Sequence, residues 1–324
     1  MQMEKYIIFA LVIAFAVTAV AVRLLIPVLT KMKLGQRILD IGPSWHMSKS
    51  GTPTMGGLAF IIAVLTVLAV FLPLLGGEQA RMLGVTALYA VLNGVIGMID
   101  DGVKMKRKQN EGLSAFSKFL LQAVAAALFI TVMRNFGMLE SELYIPFWGK
   151  TVGLGRLYYP FAIVFLTGFV NAVNLTDGLD GLCSSVTAAV ALFLTVTAIS
   201  VNGNALAVLS LAVLGICLAF LIFNFHPAKI FMGDTGSLFL GGAVSAIALV
   251  SGKSTLLFIV GGVYLLEAVS VILQVLYYKA TKKRLFLMAP IHHHFEKKGM
   301  GEVKITLMLT LATLGLAAVA LIFA

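Results

Sequence analysis

An all-α polytopic membrane protein with ten transmembrane helices is the fold class the sequence predicts. Three observations carry it. Apolar runs long enough to cross a bilayer recur along the whole 324-residue chain. Charged residues make up 12% of the chain and hydrophobic residues 60%, against about 25% charged in soluble domains, and the mean hydropathy is +1.01. The basic residues are also shared unequally between alternate connecting segments. The runs follow one another without an intervening polar domain, so residues 1–324 read as a single integral membrane domain. A soluble helical protein and an inverted-repeat transporter find no support in this pattern.

In order, the spans are 6–26, 55–75, 82–99, 113–133, 157–173, 182–201, 205–223, 236–251, 255–278 and 305–324. The first is longer than the apolar core of a signal peptide and lacks a small-x-small cleavage pattern, so it reads as a helix. The second opens after Pro53, at a run of small residues. The third closes on Asp100-Asp101. Between the fourth and fifth, Tyr144-Ile145-Pro146-Phe147-Trp148-Gly149-Lys150 reads as a short strand or hairpin with aromatic interface anchors. Cys183 and Cys217 lie within or beside apolar runs, as small core residues and not as a disulfide or metal set.

Orientation follows from Lys and Arg. One set of loops holds 17 of the 24 basic residues, among them Lys31, Lys49, Lys104, Lys118, Lys229, Lys282 and Lys297. That set is expected in the cytoplasm, with both termini outside. An even number of spans requires both termini on one side, so the two inferences agree. The net charge of +10 therefore reflects membrane orientation, not nucleic-acid binding.

Nine of the 14 acidic residues fall on the same side, where the charge rule does not require them. Asp100 and Asp101 repel one another at an expected helix C-terminus, where the dipole disfavours anions; they suit a cation site or a base. The stretch Asn171 to Gly181 supplies Asn174, Asp177 and Asp180, the two acids three apart and on one face if the turn is helical. Phe231-Met-Gly-Asp234-Thr-Gly-Ser237 holds a hard oxygen donor between glycines at a membrane boundary. With Asn224 and Phe231 before it, this loop suits a nucleobase and its phosphates, with packing as the alternative for Phe231.

Three further features stand beside these. His292-His293-His294 lacks a cysteine partner, and consecutive residues point different ways, so phosphate binding with Lys282, Lys283 and Arg284 is the better reading than zinc. Residues 49–57 are not a Walker loop; Lys49 and the hydroxyl of Thr54 serve a phosphate or sit in an ordinary loop. Glu267 and Gln274 share one face of the ninth span, two turns apart, for a structural hydrogen bond or a substrate contact.

Carboxylates for Mg²⁺, cations for phosphate and an aromatic–amide pair together suit phosphoryl transfer from a nucleotide, and a site at the membrane face suits a lipid phosphate as acceptor. These motifs resemble the phospho-N-acetylmuramoyl-pentapeptide transferases, a branch of the polyprenyl-phosphate N-acetylhexosamine-1-phosphate transferase superfamily. The resemblance covers essentially the whole chain, and Pro290-Ile-His-His-His-Phe-Glu296 marks the muramoyl branch. It implies ten transmembrane helices, a cytoplasmic Mg²⁺ site, often a homodimer, and transfer of phospho-MurNAc-pentapeptide from UDP to undecaprenyl phosphate in a bacterial cell membrane, giving lipid I and UMP. By motif match Asp234 is the metal ligand. Asp100 and Asp101 serve the lipid-phosphate nucleophile. Lys49, Thr54, Asn174, Asp177, His293 and His294 line the phosphate and sugar region, and Asn224, Asp180 and Phe231 hold the uridine. His292 and Gln274 complete the expected substrate-binding set.

Two rival classes are weighed against this. A sister enzyme moving GlcNAc-1-phosphate shares the Asp motifs but not the His triplet. An ion-coupled transporter would need charges deep in the bundle, whereas most of these lie at span ends.

Overall fold

A computed structural model describes residues 6–32, 51–107, 112–200 and 203–324. Lys49 lies outside the described residues. Among the described residues ten helices are long and apolar enough to cross a membrane.

The helices are α1 (Ile8–Lys31), α2 (Leu58–Leu75), α3 (Gly77–Arg107), α4 (Ala115–Asn135), α5 (Tyr158–Thr176), α6 (Leu182–Ser200), α7 (Asn204–Asn224), α8 (Gly233–Val250), the short α9 (Leu256–Val260), α10 (Gly262–Thr281), the short α11 (Ile291–Lys297) and α12 (Glu302–Leu321). All ten expected spans are present. Buried hydroxyls within them, such as Thr86, Thr167, Ser210 and Ser245, donate to the carbonyl four residues back, which satisfies them without a partner helix.

The expected hairpin forms between α4 and α5. Strand β1 (Glu142–Ile145) pairs antiparallel with β2 (Lys150–Gly153), Glu142 opposite Gly153, around a 3₁₀ turn at Pro146–Trp148. The Tyr144 hydroxyl donates to the Phe323 carbonyl at 2.8 Å, and Lys253 lies over the Tyr144 ring. The hairpin thus caps the end of the bundle where α12 finishes.

Several boundaries differ from the sequence reading in ways that matter. The helix α3 does not stop at Asp101 but continues to Arg107. The two acids therefore sit inside a helix, and the unfavourable dipole expected of a C-terminus is displaced two turns beyond them. The helix α8 starts at Gly233, so Asp234 belongs to its first turn and not to a loop. The ninth span is broken at Gly261 into α9 and α10. Lys118, counted among the loop cations although it falls inside the expected fourth span, lies in α4. Residues 177–181 form consecutive turns, not the helical turn that would have put Asp177 and Asp180 on one face.

At the centre α8 is enclosed by α3, α5, α6 and α7. Its crossing with α3 is close because glycine removes the side chain there. A Cβ at Gly97 would collide with the backbone of Asp234 and Thr235, and one at Gly57 with that of Gly236. With lipid outside, helices associate through such close packing and not through a hydrophobic gain. The N–H groups of Gly56 and Gly57 donate to the carbonyls of Phe231 and Met232 at 2.9 Å, which locks the start of α2 to the segment before α8.

Candidate active site

The close crossing brings three carboxylates together. Asp100 and Asp101 come from α3 and Asp234 from α8, and oxygens of all three lie within 4.8 Å of one another. Two lysines face them. Lys104 Nζ lies 2.8 Å from Asp100 Oδ2 and 2.9 Å from Asp234 Oδ2, and Lys118 Nζ reaches Asp234 Oδ2 from α4. Lys104 follows from helical spacing, four residues after Asp100; Lys118 is placed only by the docking of α4 against α3. Asn174 Nδ2, near the end of α5, donates to Asp234 Oδ1 at 2.9 Å and to Ser237 Oγ at 2.8 Å. A cavity of about 580 Å³ opens beside the cluster, lined by Asp100, Lys104, Arg107, Lys118 and Asp234 together with the 112–115 segment.

Thr54 is adjacent: a Cβ at Gly233 would meet its hydroxyl at 3.0 Å. The Phe231 N–H donates to the Pro53 carbonyl at 2.8 Å, and its side chain remains half-buried. Asp177 caps the end of α5. Burial pushes its carboxyl up to about 8, and the charges of Asp234, Asp101 and Asp180 act in the same direction.

The turn after Asp177 connects two further groups. Asp180 accepts from the Ala228 N–H at 3.0 Å and pairs with His226 Nδ1 at 3.1 Å. Asn224 spends its amide on backbone: Oδ1 accepts from the Gly181 N–H at 3.1 Å and Nδ2 donates to the Ile230 carbonyl at 2.9 Å. It therefore shapes the loop expected to receive a base. On the other side, Gly178 packs so closely on His292 that a Cβ would collide with the imidazole.

The three histidines point three ways, as consecutive residues must. His292 is fully buried with Glu267, Nδ1 to Oε2 at 3.0 Å. His293 pairs with Glu296 at 2.6 Å. His294 Nδ1 accepts from the Leu287 N–H at 3.1 Å, and burial and the nearby Lys298 hold its pKa below the usual value. Gln274 accepts from the N–H groups of Leu285 and Phe286 and donates back to the Phe286 carbonyl. Its side chain thus holds the 282–290 segment in place. Of the expected substrate contacts, Gln274 and Asn224 are engaged through both the oxygen and the nitrogen of their amides with backbone groups of the chain.

Comparison with known proteins bears on this arrangement. A family model described as glycosyl transferase family 4 matches residues 82–252, and the first signature of phospho-N-acetylmuramoyl-pentapeptide-transferases matches residues 49–61. Curated relatives bearing the name phospho-N-acetylmuramoyl-pentapeptide-transferase match nearly end to end. One from Caldicellulosiruptor bescii is 42% identical over 307 residues, 95% of this chain and 94% of the relative. One from Clostridium kluyveri is 44% identical over 95% and 96%, and one from Acetivibrio thermocellus is 46% identical over 93% and 90%. The chain belongs to the phospho-N-acetylmuramoyl-pentapeptide-transferase family.

In this member of the phospho-N-acetylmuramoyl-pentapeptide-transferase family the donor set suits a hard divalent cation. The cluster offers only carboxylate oxygens, the ligands Mg²⁺ prefers. Asp100 Oδ2 is buried and makes no hydrogen bond, though Lys104 lies close enough for an ion pair. Among the described residues, the three carboxylates lie beside the ammonium groups of Lys104 and Lys118, with Arg107 on the same cavity wall.

Proposed function

We propose that the protein transfers phospho-MurNAc-pentapeptide from its UDP carrier to undecaprenyl phosphate, yielding lipid I and UMP, at the cytoplasmic face of a bacterial cell membrane. The observation that carries the reading is the carboxylate–lysine cluster of Asp100, Asp101, Asp234, Lys104 and Lys118 beside a cavity. Its setting is a chain that matches relatives bearing that transferase name over 94% and 96% of their length. In this reading both termini lie outside, residues 1–324 act as one domain, and two copies associate as a homodimer.

Asp234 and Asp100 would hold Mg²⁺, which when bound supplies positive charge to the diphosphate of the donor. The remaining work falls to the chain. Lys104 and Lys118 screen the phosphates. Asp100, which lines the cavity, orients the acceptor phosphate. A phosphate monoester with a second pKa near ~6 is already largely ionised at neutral pH, so positioning matters more here than proton removal. An acceptor oxygen attacks the phosphorus that carries the sugar, and the bond from that phosphorus to the bridging oxygen breaks, releasing UMP. Lys49, Thr54, Asn174, Asp177, His293 and His294 line the phosphate and sugar. Asp180 and Phe231 contact the uridine in a loop shaped by Asn224, and His292 and Gln274 support the far wall.

Incubation with UDP-MurNAc-pentapeptide, undecaprenyl phosphate and Mg²⁺ should release UMP in detergent, without a sealed membrane. UMP release from UDP-GlcNAc in its place would overturn the substrate assignment. A donor with chiral labelled phosphorus should give inversion; retention would instead require a covalent aspartyl-phosphate intermediate.

A further inference from the structure

We infer that the two adjacent acids of α3 have different tasks: Asp101 is a positioning residue for Asp234, and only Asp100 faces the reacting groups. The inference rests on the reading of Asp234 as a metal ligand and deepens it.

The first N–H groups of any helix lack an intrahelical acceptor and need another. In α8 the preceding residue, Met232, provides no side-chain cap. Asp101 provides it from a different helix. Its Oδ1 accepts from the Asp234 N–H at 3.2 Å, and its Oδ2 accepts from the Thr235 N–H at 2.9 Å and the Thr235 hydroxyl at 2.7 Å. Both oxygens are therefore engaged, and the residue is only 4% exposed.

Asp100 is just as buried but contrasts in what it meets. One oxygen accepts from the Leu113 N–H at 2.8 Å, while the other is held 2.8 Å from the Lys104 ammonium, which also meets Asp234. Asp100 lines the cavity with Lys104, Lys118 and Asp234, and Asp101 does not. Neighbouring positions on a helix point about 100° apart, so one acid turns to the cavity and the next to α8. By fixing the first turn of α8, Asp101 and the Thr235 hydroxyl fix where the Asp234 carboxylate points. Asp101 thus acts on the site through Asp234.

The test compares direct Mn²⁺ binding, read by electron paramagnetic resonance, with turnover in the purified full-length protein. Asp101→Asn and Thr235→Val should each weaken Mn²⁺ binding roughly fivefold, the value of one hydrogen bond. The double variant should bind no worse than the weaker single variant, because both remove the same clamp. Thr235→Ser, which keeps the hydroxyl, should restore binding. Saturating Mn²⁺ should return most of the turnover of each variant, with KM for both substrates unchanged.

Loss of turnover in Asp101→Asn at every Mn²⁺ concentration, with unchanged Mn²⁺ affinity, would place Asp101 on the substrate and overturn the inference. So would a Thr235→Val protein indistinguishable from the parent. Should Asp101→Asn fail to fold, the Thr235 pair decides alone. Asp234→Asn run alongside separates the two levels. If it binds Mn²⁺ normally, the metal reading itself fails. If it loses Mn²⁺ while the Asp101 and Thr235 variants bind normally, only the positioning inference fails.

Discussion

The α3–α8 crossing and the α10–α11 arm both hold ionisable groups, but they partner them in different ways. At the crossing three carboxylates share two lysines, and α8 is buried along nearly its whole length. In the arm His292 meets Glu267 and His293 meets Glu296. There α10 turns Leu266, Val269, Ile272 and Leu276 outward, and Gly261 breaks it from α9. The difference teaches which of the two regions would suit a cation. Paired histidines and acids satisfy one another, whereas three carboxylates brought together on a tightly packed crossing offer hard oxygen donors in a fixed geometry, the arrangement that would suit a metal.

Removing one of these carboxylates should have the largest effect. Asp234→Asn should lower Mg²⁺-dependent turnover by more than about a hundredfold while the thermal unfolding midpoint stays near that of the parent. Near-normal turnover with unchanged metal dependence would show that the crossing is not the catalytic region.

Next comes the packing that creates the cluster. Gly97→Val pushes a side chain into the Asp234–Thr235 backbone, so it should cost at least about 1–3 kcal/mol and reduce activity with it. Gly84→Ala, on the same helix where a Cβ meets only Leu72 at ordinary contact distance, should be tolerated in the same unfolding assay.

In the arm, Glu267→Ala leaves His292 buried without its partner and should destabilise by about 1–3 kcal/mol. Glu267→Gln keeps a hydrogen-bonding group and should lose less. If both variants unfold like the parent yet lose all turnover, the arm is chemical and not structural, and the contrast between the regions collapses.

Asp177, at the junction, gives a pH signature. Its folded-state pKa of about 8 lies above the usual ~3.9 of an unfolded Asp. A raised carboxylate pKa means that the folded state holds the proton more tightly, so this group lowers stability as pH rises between those values. The penalty is absent below about pH 4 and complete above about pH 8. In chelator, Asp177→Asn should therefore be stabilised relative to the parent by an amount that grows over that window and then levels off. A difference independent of pH would remove Asp177 from the charged group around Asp234.

The smallest effect is expected far from both regions. Lys253→Ala removes the cation over the Tyr144 ring, at a half-buried site and worth about 1 kcal/mol, and should leave turnover unchanged. A large loss of turnover with intact folding would challenge the orientation of the chain.

Much of the fold is legible because each span must be apolar by itself, whatever its neighbours. The hairpin is legible because aromatic residues cluster around Pro146 and Gly149. The limits of α3 and α8 are less so. Charged residues at a membrane boundary look like the end of a helix, yet Lys104 lets α3 continue by pairing with Asp100 one turn earlier. The acids of the site were visible as types, but Lys118 looked like one more loop cation. The amides of Asn224 and Gln274 looked available to substrate because nothing local showed which backbone groups they would meet.

By itself, then, the sequence determined the ten spans, the family motifs and the supply of hard oxygen donors, since these follow from composition and local pattern. The tertiary structure alone decided which acids share a site and which face each turns. Asp101 meets Thr235 across 134 positions of chain. That contact depends on the absence of a side chain at Gly97, where α3 and α8 cross, and no local periodicity encodes a meeting between helices so far apart.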